Sequence, residues 1–259
     1  SLVHAWFSIY LDGVDPAAWD PEMRRTTAFT LQRQLKQHPD HDAVLAMGYG
    51  QGWLTKAALV LDEMDDAGPL LWNIARYSYD KTMDYSDPDR GIDWRRWLWI
   101  IPEGTNILPD GSWYRIGDLS NGANQGPAMH ALAVAAGIAM DGKAGLKLLP
   151  RMAGVLTGVE VTNAWVLAPH DGELTRACVS YRFERPGRLA LTAEPSLDRF
   201  AVRLGPFGDR EQAIQRVAQG HVPNGASTRV VSSGHVQGKT AWWVWVEGLQ
   251  QLSSLEIDL

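Results

Sequence analysis

A chain of 259 residues with 45% hydrophobic side chains has material for one large domain or two small ones, which excludes a disordered chain. Its net charge of −6 comes without any basic tract, so nucleic acid is not an expected partner. One cysteine allows no intrachain disulfide, and the absence of any apolar run of about 18 residues leaves no expected membrane span.

The first half reads as helices. An apolar opening, Leu2 to Ile9, precedes "PEMRRTTAFTLQRQLKQH", which sets Ala28, Leu31 and Leu35 on one face until Pro39 stops it. "GWLTKAALVLDEM" carries Trp53, Leu54, Ala57, Ala58, Leu61 and Met64 at helical spacing. Asp65 to Pro69 reads as a short break, and a second helix turns Leu70, Leu71, Ile74 and Ala75 inward, which makes an antiparallel hairpin. Residues 81–126 read as a long irregular stretch holding Trp94, Trp97, Trp99 and Trp113; so long a loop region inside a compact domain is usually functional. "PAMHALAVAAGIAM" is apolar nearly all round, so a helix over 127–140 is expected to be buried on most sides.

The second half changes period. "LTRACVSYRF" alternates, with Ala177, Val179, Tyr181 and Phe183 together, and "GRLALTAE" groups Leu189, Leu191 and Ala193. "KTAWWVWVEG" splits into Trp242, Val244, Val246 and Ala241, Trp243, Trp245, so both of its faces are expected to be covered. Asp209 with Gln212 three residues on marks the start of one interrupting helix. The expected fold is α+β and multidomain: helical hairpins over 1–145, then an antiparallel β-sandwich over 146–259, with the boundary in "DGKAGL".

Tryptophan is the strongest compositional signal, 12 against 5 Phe. A flat indole packs well against the C–H face of a sugar ring, and equally well fills a core. A carboxylate in the glycine- and amide-rich loop "RIGDLSNGANQG" directly before an apolar helix suggests the floor of a pocket. The order of hairpins, that loop, a buried helix and then "LKLLPRMAGVLTGVEVTNAWV" resembles the C-terminal end of six-hairpin glycosidases. These form the (α/α)6-barrel clan that includes α-L-fucosidases and α-L-rhamnosidases. The loop Gly117-Asp118-Leu119-Ser120-Asn121-Gly122 is similar to their Asp-Gly-Asn loop. Leu148-Leu149-Pro150 and Gly158-Val159-Glu160-Val161 are similar to their entry into a β-domain. The resemblance implies a partial (α/α)6 toroid. It also implies a second chain or an upstream segment that completes the barrel, because half a toroid would expose large apolar helix faces.

The chemistry implied is glycoside hydrolysis on an oligo- or polysaccharide, by an inverting mechanism. An inverting enzyme sets two carboxyl groups about 6.5–9.5 Å apart, one protonating the leaving oxygen and one activating water. Asp118 is the candidate base. Glu103, leaving an apolar run after Trp99, is the candidate acid, because burial there would raise its pKa. Gln51, Trp53, Trp99, Trp113, Arg115, Asn121 and Asn124 are the candidate substrate contacts. His130 reads first as a core histidine bonded to a backbone carbonyl. No cofactor or metal motif appears. The alternatives are a polysaccharide lyase with Tyr114 or His130 as base, a glycoside phosphorylase, and a non-catalytic carbohydrate-binding subunit. The compartment is left open, with an exported or periplasmic one slightly favoured.

Overall fold

A computed structural model describes residues 21–37, 48–79, 86–87, 92–93, 104–107, 113–116, 122–139 and 145–259. The chain divides into two compact units. Described residues of the first fall within Asp20–Ala58 and Pro69–Leu132, and those of the second within Leu59–Gly68 and Ala133–Leu259.

The first unit holds helix α1 (Pro21–Gln37), most of α2 (Gly48–Val60), the body of α3 (Met64–Tyr79) and the start of α4 (Gly122–Ala136). On α1, Leu31 and Leu35 are buried as their spacing requires, with Thr27 and Thr30 beside them. On α3, Leu70, Leu71 and Ile74 are buried, as the hairpin reading expects. Segment 81–126 is not irregular throughout. It contains two short antiparallel hairpins, β1 (Ser86–Asp87) with β2 (Ile92–Asp93) and β3 (Gly104–Ile107) with β4 (Trp113–Ile116).

The second unit is mainly strand. β5 (Ile138–Ala139), β6 (Leu146–Leu148), β10 (Phe200–Phe207), β11 (Ser227–Val236) and β12 (Lys239–Leu249) form a five-stranded sheet in the order β11-β12-β10-β6-β5. β7 (Gly158–His170), β8 (Glu173–Glu184), β9 (Arg188–Leu197) and β13 (Leu252–Asp258) form a four-stranded sheet in the order β13-β9-β8-β7. The four-stranded sheet buries one face, with Ala177, Val179, Tyr181, Phe183, Leu189 and Leu191 inward. The middle of β12 is buried on both faces, including Trp243 and Trp245. Helix α5 (Arg210–Gln219) starts at Asp209, whose carboxylate accepts from the Gln212 N–H at 2.7 Å. The Gln212 side chain reaches back to the Gly208 N–H at 3.1 Å, one residue before the usual partner in a capping box.

The expected partial (α/α)6 toroid followed by an antiparallel sandwich is overturned. The described residues form five helices, one of them inside the strand-rich unit, together with a five-stranded sheet, a four-stranded sheet and two two-stranded ones; strands account for more of them than helices do. Nor is the larger sheet wholly antiparallel, because β6 pairs with β10 in parallel through Phe200↔Leu146 and Val202↔Leu148. The reason lies partly at Gly137. Its φ of 94° ends α4, and a Cβ there would lie 2.2 Å from the Pro150 backbone nitrogen. The apolar run therefore leaves the helix early, and Ile138–Ala139 becomes a strand paired with β6. Nor is α4 covered all round, since Met129 and Leu132 on it are exposed while Ala128, Ala131, Val134 and Ala135 are buried.

A second correction concerns the break between α2 and α3. Helix α3 already begins at Met64, so Asp65 to Pro69 lie within it. The chain turns at Asp62 instead, in the left-handed region with a φ of 61°. Gly68 is not punctuation but a close approach: a Cβ on it would lie 2.9 Å from the backbone of Gly154.

The tip 59–68 is held by partners far along the chain. Asp62, Arg151 and Arg203 are all buried. The Asp62 carboxylate accepts from both terminal nitrogens of Arg203 at 2.6 and 2.7 Å and from Arg151 Nε at 3.3 Å. The Arg203 guanidinium also lies 4.1 Å from the ring centroid of Trp243. Burial would push the Asp62 carboxyl up, but Arg203 and then Arg151 outweigh it, and the group is held below its ordinary 3.8. Around this centre, Glu63 meets His235 Nδ1 at 2.7 Å, and Asp65 accepts the Gln237 and Gly238 N–H groups at 2.6 and 2.8 Å.

Candidate functional site

Helices α2 and α4 approach each other at a glycine. A Cβ on Gly52 would stand 2.5 Å from the Ala128 nitrogen, which no side chain permits. One turn further along both helices, Lys56 Nζ lies 3.2 Å from His130 Nδ1. Lys56 is fully buried and His130 half-buried. The donor and acceptor roles in this contact follow from the His130 tautomer. The contact with a lysine is one that the sequence reading does not contain.

This crossing gathers several of the candidate positions. Gln51 and Trp53 flank Gly52 on α2, and Asn124 lies one turn before Pro127 on α4. Trp53 is half-buried. The side chains of Gln51 and Asn124 lie outside the described residues, as do residues Trp99, Glu103, Asp118 and Asn121 altogether. Asp118 and Asn121 precede Gly122, the first residue of α4, by four residues and one.

Two more candidates, Trp113 and Arg115, sit in β4, where they pair with Ile107 and Thr105; their side chains are outside the described residues. At the open end of the same hairpin Gly104 pairs with Ile116. Glu103 is joined directly to Gly104, and Asp118 follows Ile116 by two residues.

Sequence reasoning misses Asp62, because it treats the acid as the end of a helix. The signal for it is weak: a single carboxylate in an apolar run, with its two arginines 89 and 141 residues away. Among the described residues, His170, Asp171 and Asp198 could bring three ligand atoms within 4.8 Å of one another. Their observed contacts are local: His170 Nδ1 donates to the Ser196 carbonyl at 2.9 Å and Asp198 accepts the Gly172 N–H at 3.1 Å. These bonds tie the β7–β8 turn to the end of β9. Among the described residues no helix is long and apolar enough to cross a membrane. No family model, curated protein or solved structure matches the chain.

Proposed function

We propose that the chain belongs to a glycoside hydrolase, inverting in mechanism, that acts on an oligo- or polysaccharide. Asp118 is the base that activates water, and Glu103 is the second carboxyl group, donating a proton to the leaving oxygen or binding a substrate hydroxyl. The pairing of Gly104 with Ile116 supports this reading, because in sequence Glu103 adjoins the first and Asp118 follows the second by two residues. The α2–α4 crossing supports it by bringing Trp53 beside the helix that follows the Asp118 loop.

The partners in this reading are a carbohydrate and a further helical segment or chain. Phe29, Trp72, Met129 and Leu132, exposed on the helices of the first unit, are the apolar surface it would cover.

The test is turnover of Asp118→Asn and Glu103→Gln on a panel of polysaccharides, beside their melting temperatures. Asp118→Asn should keep the fold and lose about 10²–10⁴-fold in rate, the usual contribution of general-base catalysis. Near-normal turnover with a clearly lowered melting point would make Asp118 a loop-bonding residue. Glycan binding without any turnover would leave the non-catalytic carbohydrate-binding reading in its place.

A further inference from the structure

The solvent face of the four-stranded sheet is built in rows whose side-chain lengths alternate. One row across the strands is Glu160↔Arg182↔Ala190↔Glu256. The next is Ser180↔Thr192↔Ser254, all short hydroxyl side chains. The third is Trp165↔Cys178↔Glu194. Same-face rows lie about 7 Å apart along a strand, so Glu160, Arg182 and Glu256 stand along one side of a hydroxyl floor, and the Trp165 row comes next on the other side, beyond the lining itself. The result is a trough of about 400 Å³ over Ser180, Thr192 and Ser254, within the range of small-ligand sites.

Trp165 faces outward because of a bulge. The register of β7 on β8 shifts between Val161 and Ala164, and Asn163 takes a φ of 54°. The Asn163 N–H donates to Ser180 Oγ at 2.9 Å, which pins the extra residue beside the trough. The slip reverses the parity of the strand, so Glu160 before it and Trp165 after it share the outer face. Trp165 is 62% exposed, with the Arg176 guanidinium 4.9 Å from its ring centroid.

We infer that this trough is a binding surface for a neutral saccharide chain, separate from the Asp118 loop. The floor offers hydroxyls, and the lining adds carboxylate acceptors from Glu160 and Glu256. The exposed indole supplies the flat apolar surface that the C–H face of a sugar needs. Polyanions are disfavoured by these carboxylates, all the more because Arg182 is already paired with Glu184 at 2.7 Å. A lipid is disfavoured by the hydroxyl floor. The inference rests on the carbohydrate part of the proposed function but not on its catalytic part.

The test is affinity electrophoresis of the full chain in native gels cast with soluble β-glucan, xylan or galactomannan, with polygalacturonate as the anionic control. The Asp118→Asn background prevents degradation of the gel. Trp165→Ala removes the indole, and Thr192→Trp fills the trough from an exposed position. Retardation by at least one neutral polymer, weakened roughly tenfold by each substitution, is the expected result. No retardation by any neutral polymer, retardation untouched by both substitutions, or equal retardation by polygalacturonate would overturn the inference. So would a dimer by light scattering that Thr192→Trp converts to monomer, since the face would then join copies of the chain. Retention without turnover in the unsubstituted chain sinks only the hydrolase reading, and turnover without retention sinks only this one.

Discussion

Replacing Asp62 by asparagine tests the account of what holds the second unit together. The amide keeps the side chain's size but not its charge. Two guanidinium groups, 1% exposed or less, then lose the anion they share at 2.6–3.3 Å. The amide also has an NH2 end, which would point a donor at donors on at least one side. Breaking a buried ion pair by removing one partner costs about 3–5 kcal/mol, because the remaining charge stays desolvated. Trp243 recovers part of this for Arg203 through its ring face, so about 3 kcal/mol is the expected loss. Urea unfolding at neutral pH, with equal m-values for both proteins, measures it directly. Arg203→Met completes a double-mutant cycle, and the coupling should exceed about 1 kcal/mol because the groups touch. The sign with pH follows from the lowered Asp62 pKa. This contribution is fully present above 3.8 and is lost as pH falls through the folded-state value below it. The gap between wild type and Asp62→Asn should therefore narrow only under strongly acidic conditions. A loss under about 1 kcal/mol at neutral pH, or a gap that narrows already near pH 6, would refute the reasoning.

Gly52→Val should separate α2 from α4 and depress both turnover and melting temperature, whereas Gly126→Ala, next to the contact but with open space around it, should be mild; equal effects in thermal melts would count against the crossing. Tyr181→Phe removes the hydroxyl that donates to the Ala136 carbonyl at 2.6 Å and should cost about 1–2 kcal/mol in urea unfolding. Burial holds the Tyr181 pKa above its ordinary 10.0, so its contribution is present below pH 10 and is lost as pH rises beyond it. Wild type should accordingly lose stability faster than Tyr181→Phe at high pH, and parallel curves would contradict the burial of that phenol.

What the sequence reveals here is local. The alternation in "LTRACVSYRF" and "GRLALTAE" reports strands because each has one buried face, and Asp209 with Gln212 reports a helix start because capping is settled within four residues. The two faces of "AWWVWV" are likewise legible, since only a strand covered on both sides tolerates that run. Long-range features escape. Nothing in "VLDEMDDAGP" says that Asp62 will meet Arg203, so Gly68 and Pro69 read as a break when the turn is set three-dimensionally at Asp62. The parallel pairing of β6 with β10 is invisible because "LKL" is too short to have a period. The outward turn of Trp165 depends on a one-residue slip, which a period-2 reading treats as noise. For the candidate site, Leu108-Pro109-Asp110-Gly111-Ser112 between "GTNI" and "WYRI" is a hairpin signal of the usual kind. It is overshadowed by the tryptophans and charges around it, and the carboxylates it joins lie outside the described residues.

The clamp on residues 59–68 also sets an order of events during synthesis. Asp62 leaves the ribosome 141 residues before Arg203, and Asp65 leaves 173 residues before Gly238. At about 5–20 residues per second, the nascent tip waits for roughly ten to thirty seconds with none of these partners made. During that interval Leu59, Val60, Leu61 and Met64, all buried in the finished protein, belong to a tip whose later partners are still unmade. The stretch "AALVLDEM" is then the place where a chaperone would bind the growing chain. A synonymous change that slows translation between residues 68 and 203 would lower the yield of folded protein while leaving its sequence and final stability untouched.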